Sequence, residues 1–219
     1  MFMTQWLISP SPAASLAIAE DARRFAVRRI LCVGQNYAAH AREMGVDADK
    51  PDPFFFSKPA DALVVDGANP TYPLATQNLH YEVELVVALG EGGLPLGWAV
   101  GVDLTRRDIQ AQAKATGRPW DAAKGFDQSA PCGALSLTPP AADASITLKV
   151  NGEIKQSGRL DDMLWDVEGV IAKAKGLWNL GAGDIIFTGT PEGVGPLVVG
   201  DIVEAEVAGL PVLTFTVQA

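Results

Sequence analysis

Cysteine is scarce in this chain of 219 residues: there are two, Cys32 and Cys132, and they form no CxxC pair. That argues against a disulfide framework and against a cysteine-based zinc site. The apolar neighbours of both residues predict free buried thiols in a reducing compartment. Basic residues are also few, with 17 Lys and Arg against 26 Asp and Glu, for a formal net charge of −9. Nucleic-acid binding needs a Lys/Arg face, so that class of partner is excluded. No stretch approaches the ~18 consecutive apolar residues of a spanning helix, so no membrane partner is expected. The first residues lack a basic segment followed by an apolar run, which predicts no secretory leader and a cytoplasmic location. Internal repeats and low-complexity tracts are missing. The one Gly-rich loop, Gly189-Thr190-Pro191-Glu192-Gly193-Val194-Gly195, lacks the Gly-Lys-Ser/Thr of a phosphate-binding P-loop.

What is present suits a single large core. Apolar residues make up 48 % and charged residues 20 %, ordinary for a globular chain. Residues 1–28, with Ser9-Pro10-Ser11-Pro12, read as a lead-in carrying little chemistry, and 29–219 as one domain. Ile30-Leu31-Cys32-Val33 is a short apolar strand ended by Gly34. Residues 36–45 read as one short helix, with Asn36 as N-cap and Gly45 as the residue that ends it. Phe54-Phe55-Phe56-Ser57-Lys58 is an aromatic strand of core residues, its Lys58 either a strand-end charge or a group reaching toward an anion. Thr105 and Asp108 have capping-box spacing. Asn151-Gly152 between alternating residues is a strong hairpin signal. Asp161 and Asp162 open an amphipathic helix whose Met163, Leu164, Val167, Val170, Ile171 and Ala174 form a core stripe.

The chemistry gathers in His80-Tyr81-Glu82-Val83-Glu84-Leu85-Val86-Val87-Ala88. As one strand it puts His80, Glu82 and Glu84 on a single face, with carboxylates roughly 6–7 Å apart at their Cβ atoms. A solvated strand face is the commonest setting for such residues. If the face is buried, the carboxylates repel, and a cation between them is the simplest remedy. Asp103 ends the next apolar strand at a strand-to-helix junction. His40 and Glu43 are neighbours on a helix, either an exposed surface pair or an imidazole oriented as a general base. Arg107 and Gln110 share a helical face that is either solvated or in contact with a ligand. Ala123-Lys124-Gly125-Phe126-Asp127 reads as a loop with Lys124 available.

Taken in order, these segments resemble the fumarylacetoacetate hydrolase family. The resemblance rests on Val33-Gly34-Gln35-Asn36-Tyr37-Ala38-Ala39-His40, Phe56-Ser57-Lys58-Pro59, His80-Tyr81-Glu82-Val83-Glu84-Leu85, Gly101-Val102-Asp103-Leu104-Thr105, Ala123-Lys124-Gly125-Phe126-Asp127 and the 188–195 loop. It covers almost everything from Arg29 onward and looks most like the short acylpyruvate and fumarylpyruvate hydrolases. It implies an α+β fold, a mixed β-sheet roll with flanking short helices, and a homodimer. It implies that Glu82, Glu84 and Asp103 bind Mg²⁺ or Mn²⁺. It also implies that His40 and Glu43 activate water, that Lys124 is the active-site lysine, and that Thr190, Arg107, Gln110 and Lys58 meet a small 2-oxo acid substrate. The implied reaction is hydrolysis of a carbon–carbon bond in a 2,4-dioxo acid. The same scaffold serves oxaloacetate-type decarboxylases and the isomerases or hydratases of aromatic catabolism, and a non-catalytic binding protein could retain the fold.

Overall fold

A computed structural model describes residues 6–9, 11–43 and 52–219. Its centre is a five-stranded mixed sheet in the order Phe54–Lys58, Arg29–Gly34, Asp184–Phe187, Val83–Leu89 and Pro95–Val102. The Arg29–Gly34 and Asp184–Phe187 strands run parallel, and the other pairs are antiparallel. An antiparallel sheet of four strands, Glu153–Arg159, Ser145–Val150, Ile202–Val207 and Leu213–Thr216, packs against one face. A small three-stranded sheet joins Gly195–Leu197, Leu79–Tyr81 and Thr105–Arg106. The result is α+β, with few and short helices. Among the described residues no helix is long and apolar enough to cross a membrane.

Strand periodicity explains the two cores. Val83, Leu85 and Val87 point one way, onto Ile146, Leu148, Val203 and Ala205 of the four-stranded sheet and onto Val170 and Ala174 of the Val167–Lys175 helix. Val86 and Ala88 point the other way, into a second cluster with Ile30, Cys32, Ala99, Ile185 and Phe187. Each such Val, Leu, Ile or Phe contributes about 1.5–3 kcal/mol by burial. Every residue of the Val83–Leu89 strand is therefore buried, Glu84 included. Cys32 and Cys132 are both buried and unpaired.

The Asn-Gly hairpin forms as expected. Val150 pairs with Glu153, and Asn151 and Gly152 both take positive φ, 53° and 83°. Several local expectations do not hold, each because tertiary partners compete. The first described helix spans Ala38–Glu43, and Gly45 lies outside the described residues. Asn36 is no N-cap: its side chain accepts from Trp165 N–H and donates to Trp165 O and Thr188 O, each at 2.8 Å. Those bonds hold residues 163–165 against 36–37, with Met163 bridged to Tyr37 and a bend at Leu164 and Trp165. The helix expected from Asp161 therefore starts six residues later, at Val167, with Asp166 as N-cap accepting from Gly169 N–H at 2.8 Å.

The Thr105–Asp108 capping box is also missing. Thr105 lies in a strand and donates to Asp103 O at 3.2 Å, while Asp108 accepts from Thr76 Oγ1 at 2.6 Å and from Gln77 N–H at 3.1 Å. Phe54 is 38 % exposed and not core. Residues 15–26 form a hairpin whose Leu16 and Phe25 enter the second cluster, so this part of the lead-in is built into the fold.

The parallel pair at the sheet centre is pinned by Asp184. Its carboxylate is fully buried and pairs with Arg28 and Arg29, both at 2.7 Å, and it accepts from Gly181 N–H at 3.1 Å. Burial pushes its pKa up, but the two guanidiniums outweigh burial and hold it below the usual carboxylate range. Its stabilising effect is thus complete above the unfolded carboxylate pKa and is lost as pH falls through the lower native value. Asp184→Asn should cost about 2–3 kcal/mol at neutral pH, less than a fully buried pair because both arginines are partly exposed. The gap from the native protein, read from urea melts, should narrow as pH falls below about 4.

Candidate metal centre and active site

Glu82 occupies the break between the Leu79–Tyr81 and Val83–Leu89 strands. The break has a cause: Val83 N–H donates to the side chain of Gln156 at 2.9 Å instead of to a neighbouring strand. Asp103 follows the adjacent Pro95–Val102 strand, and its N–H donates to Glu82 O at 2.8 Å, which locks the two carboxyl residues side by side. Glu82, Glu84 and Asp103 each offer an oxygen, and these atoms lie within 4.8 Å of one another. All three residues are buried. Of the two settings open to this strand face, solvated or buried, Glu82 and Glu84 take the buried one. His80 does not join the cluster: it belongs to the smaller sheet, its Nε2 lies 2.9 Å from Asn78 Oδ1, and burial followed by Arg107 pushes its pKa down to about 4.

Three cations surround the carboxylates unevenly. Lys124, at the end of the short Asp121–Lys124 helix that replaces the expected loop, donates to Glu82 Oε2 at 2.7 Å and Asp103 Oδ2 at 2.6 Å. Arg107 Nη2 donates to Glu82 Oε1 at 2.6 Å. Lys58 Nζ lies 2.8 Å from Asp103 Oδ1. Glu84 accepts from Gly189 N–H at 2.7 Å and forms no ion pair among the described residues. The pKa shifts follow this asymmetry. Burial works to raise Glu82, but Lys124 and Arg107 outweigh it and hold the group ionised. Burial raises Glu84 well above the carboxylate range, and Asp103 and Glu82 add to the rise. Burial works to lower Lys124, but Asp103 and Glu82 outweigh it and raise its pKa. A buried carboxylate without a cation beside two others is the deficit that a divalent ion would fill. The all-oxygen donor set fits Mg²⁺ or Mn²⁺.

A cavity of about 20 Å³ opens at Glu82 and Glu84, enough for about one water-sized sphere. His40, Arg107, Gln110, Lys124 and Thr190 line it beside Glu82 and Glu84, so the structure brings these expected residues together. An aromatic cleft of about 550 Å³ adjoins it, walled by Phe54, Phe56, Pro119 and Trp120 and reaching Lys124. Phe54 and Trp120 meet edge to face at 4.9 Å between ring centroids. His40 is buried, with Nδ1 3.0 Å from Glu43 Oε2. The carboxylate orients the ring and leaves Nε2 as the nitrogen free for proton transfer. The other oxygen of Glu43 accepts from Gly193 N–H at 3.2 Å, tying the dyad to the 188–195 loop. Arg107 Nη1 donates to Gln110 Oε1 at 2.6 Å, so this pair faces the cavity and not solvent.

Lys58 is placed differently from the expectation of substrate contact. Its side chain is fully buried behind the triad, paired with Asp103 and donating to the carbonyls of Leu104, Ser129 and Lys124. With its donors occupied, it orients Asp103 instead of reaching into the cavity. Sequence reasoning missed Gln156, buried at 1 % exposure in an otherwise exposed strand. Its Nε2 donates to Thr190 Oγ1 and to Pro191 O, each at 2.8 Å, while its Oε1 accepts from Val83 N–H. Nothing in Lys155-Gln156-Ser157 signals this, because the residue acts through loops far away in sequence. Gly189 is also demanded by geometry: φ is 99°, and a Cβ there would lie 2.7 Å from Asn36 Cβ.

Residues 29–218 match the family described as Fumarylacetoacetate (FAA) hydrolase C-terminal. A crystal structure of fumarylpyruvate hydrolase from Pseudomonas aeruginosa in complex with Mn²⁺ and pyruvate is 42 % identical. It superposes with a TM-score of 0.95 over 98 % of this chain and 99 % of that one. Fumarylpyruvate hydrolase from Ralstonia sp. is 39 % identical over 184 residues, 78 % of this chain and 96 % of the relative. The mitochondrial oxaloacetate tautomerase of Arabidopsis thaliana is 37 % identical over 203 residues, 87 % of this chain and 91 % of the relative. Glu84→Gln tests the charge deficit directly. The amide can still accept from Gly189 N–H, so the metal-free melting temperature should not fall. Mn²⁺ affinity by calorimetry should drop by more than the roughly 10- to 100-fold that loss of a ligand's hydrogen-bond partner costs.

Proposed function

Because the chain belongs to the fumarylacetoacetate hydrolase family, we propose that it is a metal-dependent hydrolase of 2,4-dioxo acids, acylpyruvates such as fumarylpyruvate, yielding pyruvate and a carboxylic acid. The observation that carries this reading is His40, oriented by Glu43 and lining the same cavity as Glu82 and Glu84 of the buried carboxylate triad. A base oriented by a carboxylate is what hydrolysis requires and what decarboxylation can do without.

Glu82, Glu84 and Asp103 would hold Mg²⁺ or Mn²⁺, which supplies Lewis acidity to a 2-oxo acid when bound. The remaining roles belong to the protein. His40 Nε2 takes a proton from water as the water attacks the distal carbonyl. Glu43 steadies the resulting imidazolium through Nδ1. As the carbon–carbon bond breaks, the electron pair is left on the pyruvate fragment as an enolate, and the Lys124 ammonium lies at the cavity wall to favour that charge. Protonation of the enolate gives pyruvate. Arg107, oriented by Gln110 and Glu82, and Thr190 hold the acid end of the substrate. The aromatic cleft takes the acyl arm. Lys58 acts through Asp103 as a positioning residue.

A second reading has its own support in the tautomerase relative: enolisation of oxaloacetate, a proton transfer without water attack. Decarboxylation of oxaloacetate belongs to the same group of enolate reactions. A panel that follows pyruvate release, enol loss and CO₂ separately distinguishes the three. His40→Ala should lower hydrolysis about 10²–10⁴-fold, the usual size of a general-base contribution, and should leave Mn²⁺ affinity little changed. Any decarboxylation should suffer less. Equal loss of both activities with intact metal binding would remove the ground for hydrolysis. The assembly proposed with this function is a cytoplasmic homodimer. Sedimentation at micromolar concentration should show a species of twice the 23.1 kDa chain mass, and a monomer alone would rule the dimer out.

A further inference from the structure

The hydrogen bonds of Gln156 fix the direction in which Thr190 can use its own proton. Two backbone groups flank the Gln156 amide and leave it no choice of orientation. Val83 N–H can only donate, so Oε1 faces it, at 2.9 Å. Pro191 O can only accept, so Nε2 faces it, at 2.8 Å. The second hydrogen on Nε2 then goes to Thr190 Oγ1, 2.8 Å away. Thr190 Oγ1 is thereby an acceptor toward the protein interior. Both residues are buried, and Thr190 lines the cavity at the carboxylate triad.

We propose that Gln156 is a positioning residue that sets Thr190 as a fixed hydrogen-bond donor into the active-site cavity, aimed at the anionic carboxylate end of a 2-oxo acid. A free hydroxyl can rotate and offer either a lone pair or a proton. With one lone pair engaged from behind, the proton is left to point into the cavity, where a carboxylate is bound more tightly than a neutral group. The same amide holds Val83 N–H beside Glu82, so one side chain aligns the start of the carboxylate strand with the substrate loop.

The inference rests on the reading of the cavity as a 2-oxo acid site, and a binding measurement separates the two. The probe is pyruvate, titrated into protein loaded with Mn²⁺. Thr190→Val removes the hydroxyl at constant shape and should weaken pyruvate about 10- to 100-fold, the range for a hydrogen bond to a charged group. Thr190→Ser should recover most of that loss. Gln156→Met, titrated like every variant at saturating Mn²⁺, should weaken pyruvate comparably in the native background and add less than about twofold in the Thr190→Val background. Equal losses from Gln156→Met in both backgrounds would show a general scaffold effect and overturn the proposal. So would native-like pyruvate affinity in Thr190→Val, a result that does not depend on Gln156→Met folding. Native protein that binds Mn²⁺ but no pyruvate would overturn the functional reading and this inference together.

Discussion

A carboxylate buried on a strand that is itself buried on both faces sets the terms for this molecule. Glu84 lies between Val83 and Leu85 on the Val83–Leu89 strand, which is covered by one apolar cluster on each side. Ionising a group there is costly in proportion to its isolation from water and from opposite charge. The surroundings answer only in part. Lys58, Lys124 and Arg107 are engaged by Asp103 and Glu82, and Glu84 receives a single peptide N–H. Glu84 and Lys58 lie on strands of the central sheet, while Lys124 and Arg107 reach in from short helices, and all are packed in a buried setting that leaves them little room to rearrange. A divalent ion held there, as proposed, would relieve this deficit.

The 188–195 loop is the second organising part, and its role follows from its partners. Thr188 is held by Leu85 O, Gly189 N–H reaches Glu84, Thr190 and Pro191 are held by Gln156, and Gly193 N–H reaches Glu43. These contacts tie the Val83–Leu89 strand with Glu84, the Gln156 amide and the His40–Glu43 pair to one backbone segment. Glycines at 189 and 193 have φ of 99° and 91°, a region that side chains rarely adopt. A Cβ at Gly193 would stand 2.2 Å from Lys155 O.

Much of this was legible in the sequence because the relevant signals are local. Alternation in 83–89 marks a strand, Asn151-Gly152 marks a hairpin, and the ordered motifs from Val33 to Gly195 mark the family and its α+β fold. The carboxylates and the His40–Glu43 pair are visible as local spacings, but it is the family resemblance that singles them out together with Arg107, Gln110 and Thr190, the last three of which line the cavity. What was not legible depends on partners distant along the chain. Asn36 looks like a cap until Trp165, 129 residues away, claims its side chain. Asp108 looks like half of a capping box until Thr76 takes it. Lys58 looks available until three carbonyls and Asp103 surround it. Gln156 has no local mark because both ends of its amide serve segments that the sequence places far apart.

The parallel pairing at the sheet centre has a consequence for how the chain comes to be folded. Arg29 pairs with Asp184 in register, so the middle of the sheet closes only when segments some 155 residues apart have met. Contacts of such separation form slowly, since a long loop must close before any of them can form. During synthesis the Val83–Leu89 strand emerges long before its Asp184–Phe187 neighbour. In that interval one of its edges carries unpaired peptide groups flanked by the aliphatic side chains of Leu85, Val86 and Val87, which is a template for association with other chains. Glu82 and Glu84 stand at the start of that same run as charges in otherwise apolar surroundings. Charges placed at the head of an apolar strand are the arrangement that disfavours association of an unpaired edge.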